Sequence, residues 1–285
     1  MITFTTYSEA GGVGKTTLAA NLAVALARQD LDVLCIDLDP QEGSLSYVFD
    51  VDDDRDDGSA DNLVRHIIGR PKGDFDDLVR ETEHGIDVVP GHNMLENLTA
   101  NLMRAAEMEE DMHPDSDYEW PKHEQLHRVL AENDVPSQYD VIICDPQATA
   151  GDALYNAIYA TRSILLPVEL SGKGALSING LEDLVDGLER GVGINVGVLG
   201  VVPVGFKRTN TQQNHLEELE ESTFEIPAVL KERASLMQNM WDYQASAYTV
   251  LEDHREPNGD YELDTLEKFD GLADHIRRQF GVIEA

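Results

Sequence analysis

The chain alternates short apolar runs with segments whose apolar residues recur at helical spacing. Residues 2–6 form a β-branched apolar run that leads, through a glycine-rich turn, into an alanine- and leucine-rich segment at 18–27. Continuous apolar runs of this length are typical of parallel strands buried on both faces. Further predicted strands cover residues 32–36, 85–89, 139–145, 163–168 and 196–204, and predicted helices between and after them include 62–68, 179–188 and 266–280.

This alternation predicts an α/β fold with one doubly wound, mostly parallel sheet and helices on both faces. A length of 285 residues suits one large domain, and no linker rich in Pro, Gly and Ser marks a boundary, so we expect a single domain over 1–285. Acidic segments near 50–61 and 107–120 are predicted to be loops. Ile226-Pro227 is predicted to be a short edge strand.

The turn after the first predicted strand has the composition of a phosphate-binding loop. Glycines let backbone N–H groups approach phosphate oxygens, and the N-terminus of the following helix favours anions. Lys15 adds a positive charge for the β- and γ-phosphates, and the Thr16 hydroxyl stands at the position that ligates Mg²⁺. The strict pattern requires a glycine at Glu9, so this is the compact variant of the loop. The residues predicted to bind a nucleoside triphosphate are Gly11, Gly12, Val13, Gly14, Lys15, Thr16 and Thr17.

Two other predicted strands end in carboxylates. Asp37 and Asp39 follow the run at 32–36, and strand alternation places them on one side. Asp145 ends the run at 139–145 and would hold Mg²⁺ through water, beside Thr16. Because ligands bind at the carboxyl ends of parallel strands, we expect these acids to meet the phosphate-binding loop there.

The composition is strongly acidic, with a formal net charge of −34. One interpretation is a solvated surface suited to a high-salt cytoplasm, since ~3 Å screening at molar salt removes self-repulsion. A second is attraction of a basic partner; 41% hydrophobic residues oppose a third, disorder. The chain opens directly on a predicted strand and has no apolar run of membrane-spanning length, so we expect a cytoplasmic protein without a signal peptide or membrane anchor.

The sequence GGVGKTT followed by DLDPQ resembles the ParA/MinD family of deviant Walker-type ATPases, and its ParA branch in particular. The resemblance implies ATP and Mg²⁺ as cofactors, with Asp39 orienting the attacking water and Asp37 supporting the Mg²⁺ and water network. Residues 146–157 resemble the switch loop of the family. Adenine usually lies near the exit of the late strand in this family, which makes Pro203 and Phe206 candidates.

The chain departs from the family at the residue before GGVGK. That position is usually a lysine that reaches the partner's ATP across a dimer, and here it is Ala10. Three outcomes stay open: another cation substitutes, the protein hydrolyses ATP slowly as a switch, or it only binds ATP. Lys173, flanked by glycines after a central strand, is the candidate substitute, by analogy with branches that position carboxysomes.

The resemblance implies an ATP-dependent homodimer that positions or segregates DNA or another large cargo, with a partner protein stimulating hydrolysis. Nonspecific DNA would contact a basic patch, which also implies association with the nucleoid. The alternative is a membrane-associated positioning ATPase of the MinD kind, but residues 273–283 lack the basic excess of an amphipathic anchor. The candidate DNA-contacting residues are Lys207, Arg208, Lys231 and Arg233.

Overall fold

A computed structural model of the chain describes residues 1–115, 117–170 and 178–283. Its centre is a seven-stranded sheet with the order β3-β4-β2-β5-β1-β6-β7. Neighbouring strands are parallel except β3 and β4, which are antiparallel. The strands are β1 (Ile2–Thr6), β2 (Val33–Leu38), β3 (Arg80–Glu81), β4 (Asp87–Val89), β5 (Val141–Pro146), β6 (Ser163–Glu169) and β7 (Gly197–Val204).

Helices connect the strands and cover both faces of the sheet, which confirms the predicted doubly wound fold. The helices are α1 (Lys15–Ala27), α2 (Leu45–Val48), α3 (Leu63–Ile67), α4 (Leu98–Met112), α5 (Gln125–Glu132), α6 (Val135–Gln138), α7 (Asp152–Thr161), α8 (Ile178–Val192), α9 (Asn210–Glu220), α10 (Ala234–Asp242), α11 (Ala247–Thr249) and α12 (Asp260–Gln279). Shorter 3₁₀ turns lie at Phe75–Leu78 and Asn93–Asn97, and a π-helical turn at Val250–His254 follows α11. Among the described helices, none combines the length and apolarity needed to cross a bilayer.

The apolar core divides between the two faces of the sheet. On one face, α1 and α12 pack together on the sheet, and Leu22 and Phe269 are buried in the same cluster. On the other face, the helices α3, α4 and α5 bury Leu34 and Ile142 of the central strands. Successive side chains of the central strands therefore enter different clusters, because both faces of a parallel sheet are covered.

Two predicted segments differ in the structure. The acidic segment at 107–120 was predicted to be a loop, but α4 continues to Met112, so its first residues are helical. Acidic residues are accommodated on an exposed helix face as well as in a loop. Acidity alone therefore did not distinguish a helix from a loop here.

The predicted edge strand at Ile226-Pro227 is wrong, because neither residue is in a strand. Pro227 has no N–H to donate to a ladder. The chain instead follows β7 irregularly, with hydrogen bonds from Val201 N–H to Glu225 O (2.8 Å) and from Leu230 N–H to Pro203 O (2.8 Å).

Candidate functional site

The loop between β1 and α1 is shaped by two glycines in left-handed conformations. Gly12 has φ 76°, and Gly14, which immediately precedes α1, has φ 91°. A side chain at either φ is strained, so glycine is required for the turn. Since α1 begins at Lys15, the predicted phosphate-binding residues lie at the N-terminus of a long helix, where backbone N–H groups are free of helical partners.

Lys15 lies at the base of this loop and is 8% exposed. Burial lowers the pKa of its ammonium, and the negative charges of Asp145 and Asp39 oppose that shift. Among the described residues, no carboxylate forms an ion pair with it within 4.0 Å. The ammonium is thus influenced by two carboxylates but is not ion-paired with either, a suitable arrangement for an anionic ligand.

Asp145 lies near the C-terminal end of β5 and is 1% exposed. Thr6, the last residue of β1, donates its hydroxyl to Asp145 Oδ1 over 2.7 Å. Burial raises the pKa of Asp145 to about 7, and hydrogen bonds from Thr16 and Thr6 counteract the increase. The predicted pair of Mg²⁺ ligands, Thr16 and Asp145, is therefore in contact.

These donors fit a magnesium ion. Mg²⁺ prefers oxygen ligands and is usually held by one or two carboxylates together with substrate phosphates and water. Here one carboxylate, Asp145, and one hydroxyl, Thr16, meet at the N-terminus of α1. In the described part of the chain there is no cluster of three or more His, Cys, Asp or Glu residues arranged for a metal. The arrangement resembles a site completed by phosphates rather than an all-protein cage.

Asp37 lies opposite Asp145 in the sheet but has different partners. Its Oδ2 atom accepts hydrogen bonds from the hydroxyls of Ser44 and Ser46, each over 2.5 Å, and from Ser46 N–H over 2.9 Å. Its Oδ1 atom accepts from Asp39 N–H over 3.0 Å. These contacts make Asp37 an anchor for the chain beyond β2, and its predicted part in the Mg²⁺ network stays a prediction.

Asp39 is half-buried one residue beyond the end of β2. Burial raises the pKa of its carboxyl, the hydrogen bond from Gln41 N–H (2.9 Å) lowers it, and the charge of Lys15 lowers it further. The carboxylate is therefore near the phosphate-binding loop and less solvated than a surface acid. A base placed there can accept a proton more readily than an exposed aspartate.

Arg55 and the serines at 44 and 46 were not predicted to belong to the site. Arg55 comes from the acidic segment at 50–61, is 5% exposed and lies 3.8 Å from Asp37 Oδ2. The one sequence feature that marks Arg55 is that it is a single arginine among seven aspartates. Such an arrangement is equally typical of ordinary charge balance.

A cavity of about 370 Å³ opens beside the phosphate-binding loop. The predicted exit of the late strand does reach it, through Val204 and Gly205, but Pro203 and Phe206 are not among its lining residues. Phe206 is 7% exposed and packs into the core instead. The other lining residues include Thr17 and Leu18 of α1, Met237 of α10, and Thr265 and Phe269 of α12.

Three of the four predicted DNA-contacting residues also line this cavity. Lys207, Lys231 and Arg233 face it, and Lys207 forms an ion pair with Glu232 over 2.8 Å. Arg208 is exposed outside it. The structure thus brings most of the predicted basic patch to the cavity beside the loop around Gly14.

Lys173 lies outside the described residues, so its place relative to the loop stays a prediction. Ala10 is exposed in the loop, at the position where the family carries a lysine. The segment after Asp145 was expected to act as a switch loop. It leads into α7, where Asp152 accepts a hydrogen bond from His123 Nε2 (2.9 Å) and forms an ion pair with Lys122 (3.3 Å).

Comparison with known proteins agrees with this geometry. A family model described as an AAA domain matches residues 1–191. The chain is 26% identical to an uncharacterized protein of Methanocaldococcus jannaschii over 80% of this chain and 83% of that one. It is 27% identical to the chromosome partitioning protein ParA of Myxococcus xanthus, over 74% and 68% of the two chains. It spans 62% of the length of an uncharacterized Pseudomonas putida relative, with 30% identity over 66% of this chain.

Solved structures share the fold across nearly the whole chain. A plasmid partition protein of Borrelia burgdorferi bound to AMPPNP superposes with a TM-score of 0.73 at 19% identity, covering 98% of this chain and 99% of that one. The septum site-determining protein MinD of Pyrococcus horikoshii, complexed with Mg-ADP, gives 0.70 at 18% identity, with 100% and 99% coverage. At these identities the likeness concerns the fold.

Proposed function

The chain belongs to the AAA domain family, among the ParA/Soj/MinD-type partition ATPases, and from this membership we propose that it is a Mg²⁺-dependent ATPase that dimerises across ATP and positions or segregates DNA or another large cargo. Hydrolysis is slow and stimulated by a partner protein. The ATP-bound dimer binds nonspecific DNA, and the acidic surface, with a net charge of −34, suits a high-salt cytoplasm.

One observation carries the proposal most directly. Lys15 is buried at the N-terminus of α1, where the negative charges of Asp145 and Asp39 act on its ammonium, and the cavity opens on the same loop. A cation, two acids and free backbone N–H groups converging at one helix end form a phosphoryl-transfer site.

Each residue has a role in the proposed reaction. The backbone N–H groups of residues 11–15 and the Lys15 ammonium bind the phosphates, where the positive charge stabilises the negative charge that grows in the transition state. Thr16 and Asp145 would hold Mg²⁺, which would neutralise part of the phosphate charge. Asp39 holds the attacking water and accepts its proton.

Completion of the site depends on a cation that Ala10 does not supply. We assign this role to Lys173, because it is flanked by glycines and follows β6 in the sequence, and β6 is the neighbour of β1 in the sheet. If no cation completes the site, the protein is an ATP-gated switch with little hydrolysis. Ala10 is the observation that favours this second candidate.

The decisive experiment is an ATPase assay at molar KCl, with and without DNA, on the wild type and the Lys15→Ala, Asp39→Ala and Lys173→Ala variants. We expect Lys15→Ala to lose ATP binding, and Asp39→Ala to bind ATP but lose turnover. If Lys173→Ala hydrolyses ATP at the wild-type rate, Lys173 does not substitute for the missing lysine. DNA retention that is equal with and without ATP would contradict the switch.

A further inference from the structure

Arg55 is the exception within the most acidic part of the chain. Residues 50–61 contain seven aspartates, and most of this segment is turn in contact with solvent. Arg55 instead points inwards and is 5% exposed. Burying a guanidinium costs several kcal/mol unless it is paired and hydrogen-bonded, so its partners indicate what it does.

All the inward partners of Arg55 belong to the chain that leaves β2. Its Nη1 atom donates to Pro40 O over 2.9 Å and to Asp39 O over 3.4 Å. Its Nη2 atom donates to the Ser44 hydroxyl and lies 3.8 Å from Asp37 Oδ2. The planar guanidinium therefore contacts both the end of β2 and the turn that follows it, up to residue 44, through one rigid group.

The backbone of Arg55 is held as firmly as its side chain. Its carbonyl accepts a hydrogen bond from Asn93 N–H over 3.0 Å, just beyond β4. At the same strand exit, Gly91 N–H donates to the Ser46 hydroxyl over 2.8 Å. Arg55 thus connects the ends of β2 and β4, and the turn between them cannot shift without breaking contacts on both sides.

One feature of Arg55 is unfavourable for stability alone. Its Nε–H is buried without a hydrogen-bond partner among the described residues, and the Asp52 carboxylate, with which it forms an ion pair, is 3.9 Å away. An apolar side chain of similar volume would avoid this desolvation cost but could not hold the carbonyls of Asp39 and Pro40. The geometry is therefore better explained by orientation of the turn than by stability.

We infer that Arg55 is a positioning residue, which fixes the turn after β2 so that the Asp39 carboxylate stays directed at the phosphate-binding loop. The inference rests on the proposed function, because it is through Asp39 that Arg55 acts on hydrolysis. Among the described residues, no hydrogen bond or ion pair joins the Arg55 side chain to the phosphate-binding loop, and Arg55 is not among the residues that line the cavity. Its effect should therefore be on turnover and on the order of the turn, with little effect on ATP affinity.

The test compares Arg55→Lys and Arg55→Ala with Arg80→Ala. Arg80 is the matched control, since it is an arginine beside the same acidic segment, but its side chain is 39% exposed and pairs with Asp54 over 3.3 Å. For Arg55→Lys we expect kcat to fall about 10- to 100-fold while the Kd of ATP changes less than about threefold, as for other residues that orient a reacting group. Arg55→Ala should fall further, and added guanidinium, but not methylammonium, should restore part of its turnover.

A second measurement does not depend on hydrolysis. Hydrogen–deuterium exchange of peptides covering residues 39–46 should become at least about tenfold faster in Arg55→Lys and remain unchanged in Arg80→Ala, because loss of the guanidinium releases the turn. If Arg55→Ala does not fold, Arg55→Lys carries both measurements.

The outcomes separate the two proposals. Unchanged kcat and unchanged exchange in Arg55→Lys would overturn the role of Arg55, whatever the activity of the wild type. If the wild type and Lys15→Ala bind and hydrolyse ATP equally poorly, the proposed function fails, and exchange alone decides whether Arg55 orders the turn. Loss of ATP affinity in Arg55→Lys equal to its loss of turnover would show a general effect on the site and would also contradict positioning.

Discussion

Asp37 and Asp145 lie directly opposite each other on β2 and β5, and their carboxylates have different partners. The Asp37 carboxylate accepts hydrogen bonds from the chain after β2, including those from the hydroxyls of Ser44 and Ser46, each over 2.5 Å. Asp145 accepts from Thr6 and Thr16 and lies next to Lys15. Two acids at the same level of the sheet therefore have different surroundings: Asp37 orders a turn, and Asp145 is the one that we propose to serve the ligand.

This difference predicts that removing one charge mainly affects stability and removing the other mainly affects hydrolysis. Asp37→Asn leaves the buried Arg55 without one of its two carboxylate partners, and we expect the free energy of unfolding to fall by about 3–5 kcal/mol. Asp145→Asn removes a buried charge but keeps an acceptor for Thr6, so stability should change by about 1 kcal/mol or less while Mg²⁺-dependent hydrolysis is lost. Denaturant unfolding at fixed KCl and an ATPase assay measure the two effects. Equal destabilisation by both substitutions would contradict the assignment.

The parts of the site that follow from short stretches of sequence could be predicted. The glycines and Lys15 act within one turn, and Asp39 and Asp145 end apolar strands, so strand order alone places them at one edge of the sheet. The alternation of strands and helices predicted the fold class for a similar reason, because apolar residues recur at a different spacing in strands and in helices.

The missing parts depend on contacts between distant segments. Arg55, within the acidic segment at 50–61, donates a hydrogen bond to the carbonyl of Pro40. His123, in the segment before α5, forms a hydrogen bond with Asp152. Neither contact leaves a periodic pattern, because loop conformation decides it. Among the basic residues after β7 that are predicted to contact DNA, Lys231 also lines the cavity beside the phosphate-binding loop, and its contact with DNA stays a prediction.

Lys231 should therefore affect nucleotide binding. Because Lys231 is among the residues that line the cavity beside the phosphate-binding loop, we expect Lys231→Ala to raise the Kd of ATP about three- to tenfold, with a smaller effect at higher KCl. Arg208→Ala is the matched control, since Arg208 is exposed outside the cavity and should change the Kd less than about twofold. Titration with a fluorescent ATP analogue measures both. If Lys231→Ala weakens DNA retention alone, the residue belongs to a DNA surface instead.

Asp152 predicts a pH-dependent contribution to stability. Its hydrogen bond with His123, assisted by Lys122, holds the pKa of the carboxyl well below its usual range. A depressed pKa in the folded state favours folding above the unfolded value of about 3.9, and this contribution is lost as the pH falls below it. Asp152→Asn should be about 1–3 kcal/mol less stable than the wild type at pH 7, and the difference should shrink below about pH 4.

The comparison requires unfolding curves of both proteins across the acid range. Asp264→Asn, which removes an exposed negative charge from α12, controls for the change in net charge. A gap between the wild type and Asp152→Asn that stays constant down to the lowest pH would show that the side chain contributes by shape and not by charge.

Gly91 tests how tightly the ends of β2 and β4 are packed. A Cβ atom at this position would lie 2.9 Å from Asp37 Cγ and Oδ2 and 2.9 Å from the carbonyl oxygen of Asp39. One methyl group must therefore displace the Asp37 carboxylate or the turn that carries Asp39. We expect Gly91→Ala to lower the free energy of unfolding by about 1–3 kcal/mol and to reduce ATP turnover.

The matched control is Gly271→Ala in α12, where an added Cβ meets no atom within 4 Å. Alanine is the better helix former, so this substitution should stabilise the protein by about 0.5–1 kcal/mol and leave turnover unchanged. Denaturant unfolding and steady-state ATPase assays on both variants make the comparison. If Gly91→Ala is as stable and as active as the wild type, the turn accommodates a methyl group without moving Asp39, and close packing against β4 is not what holds that carboxylate in place.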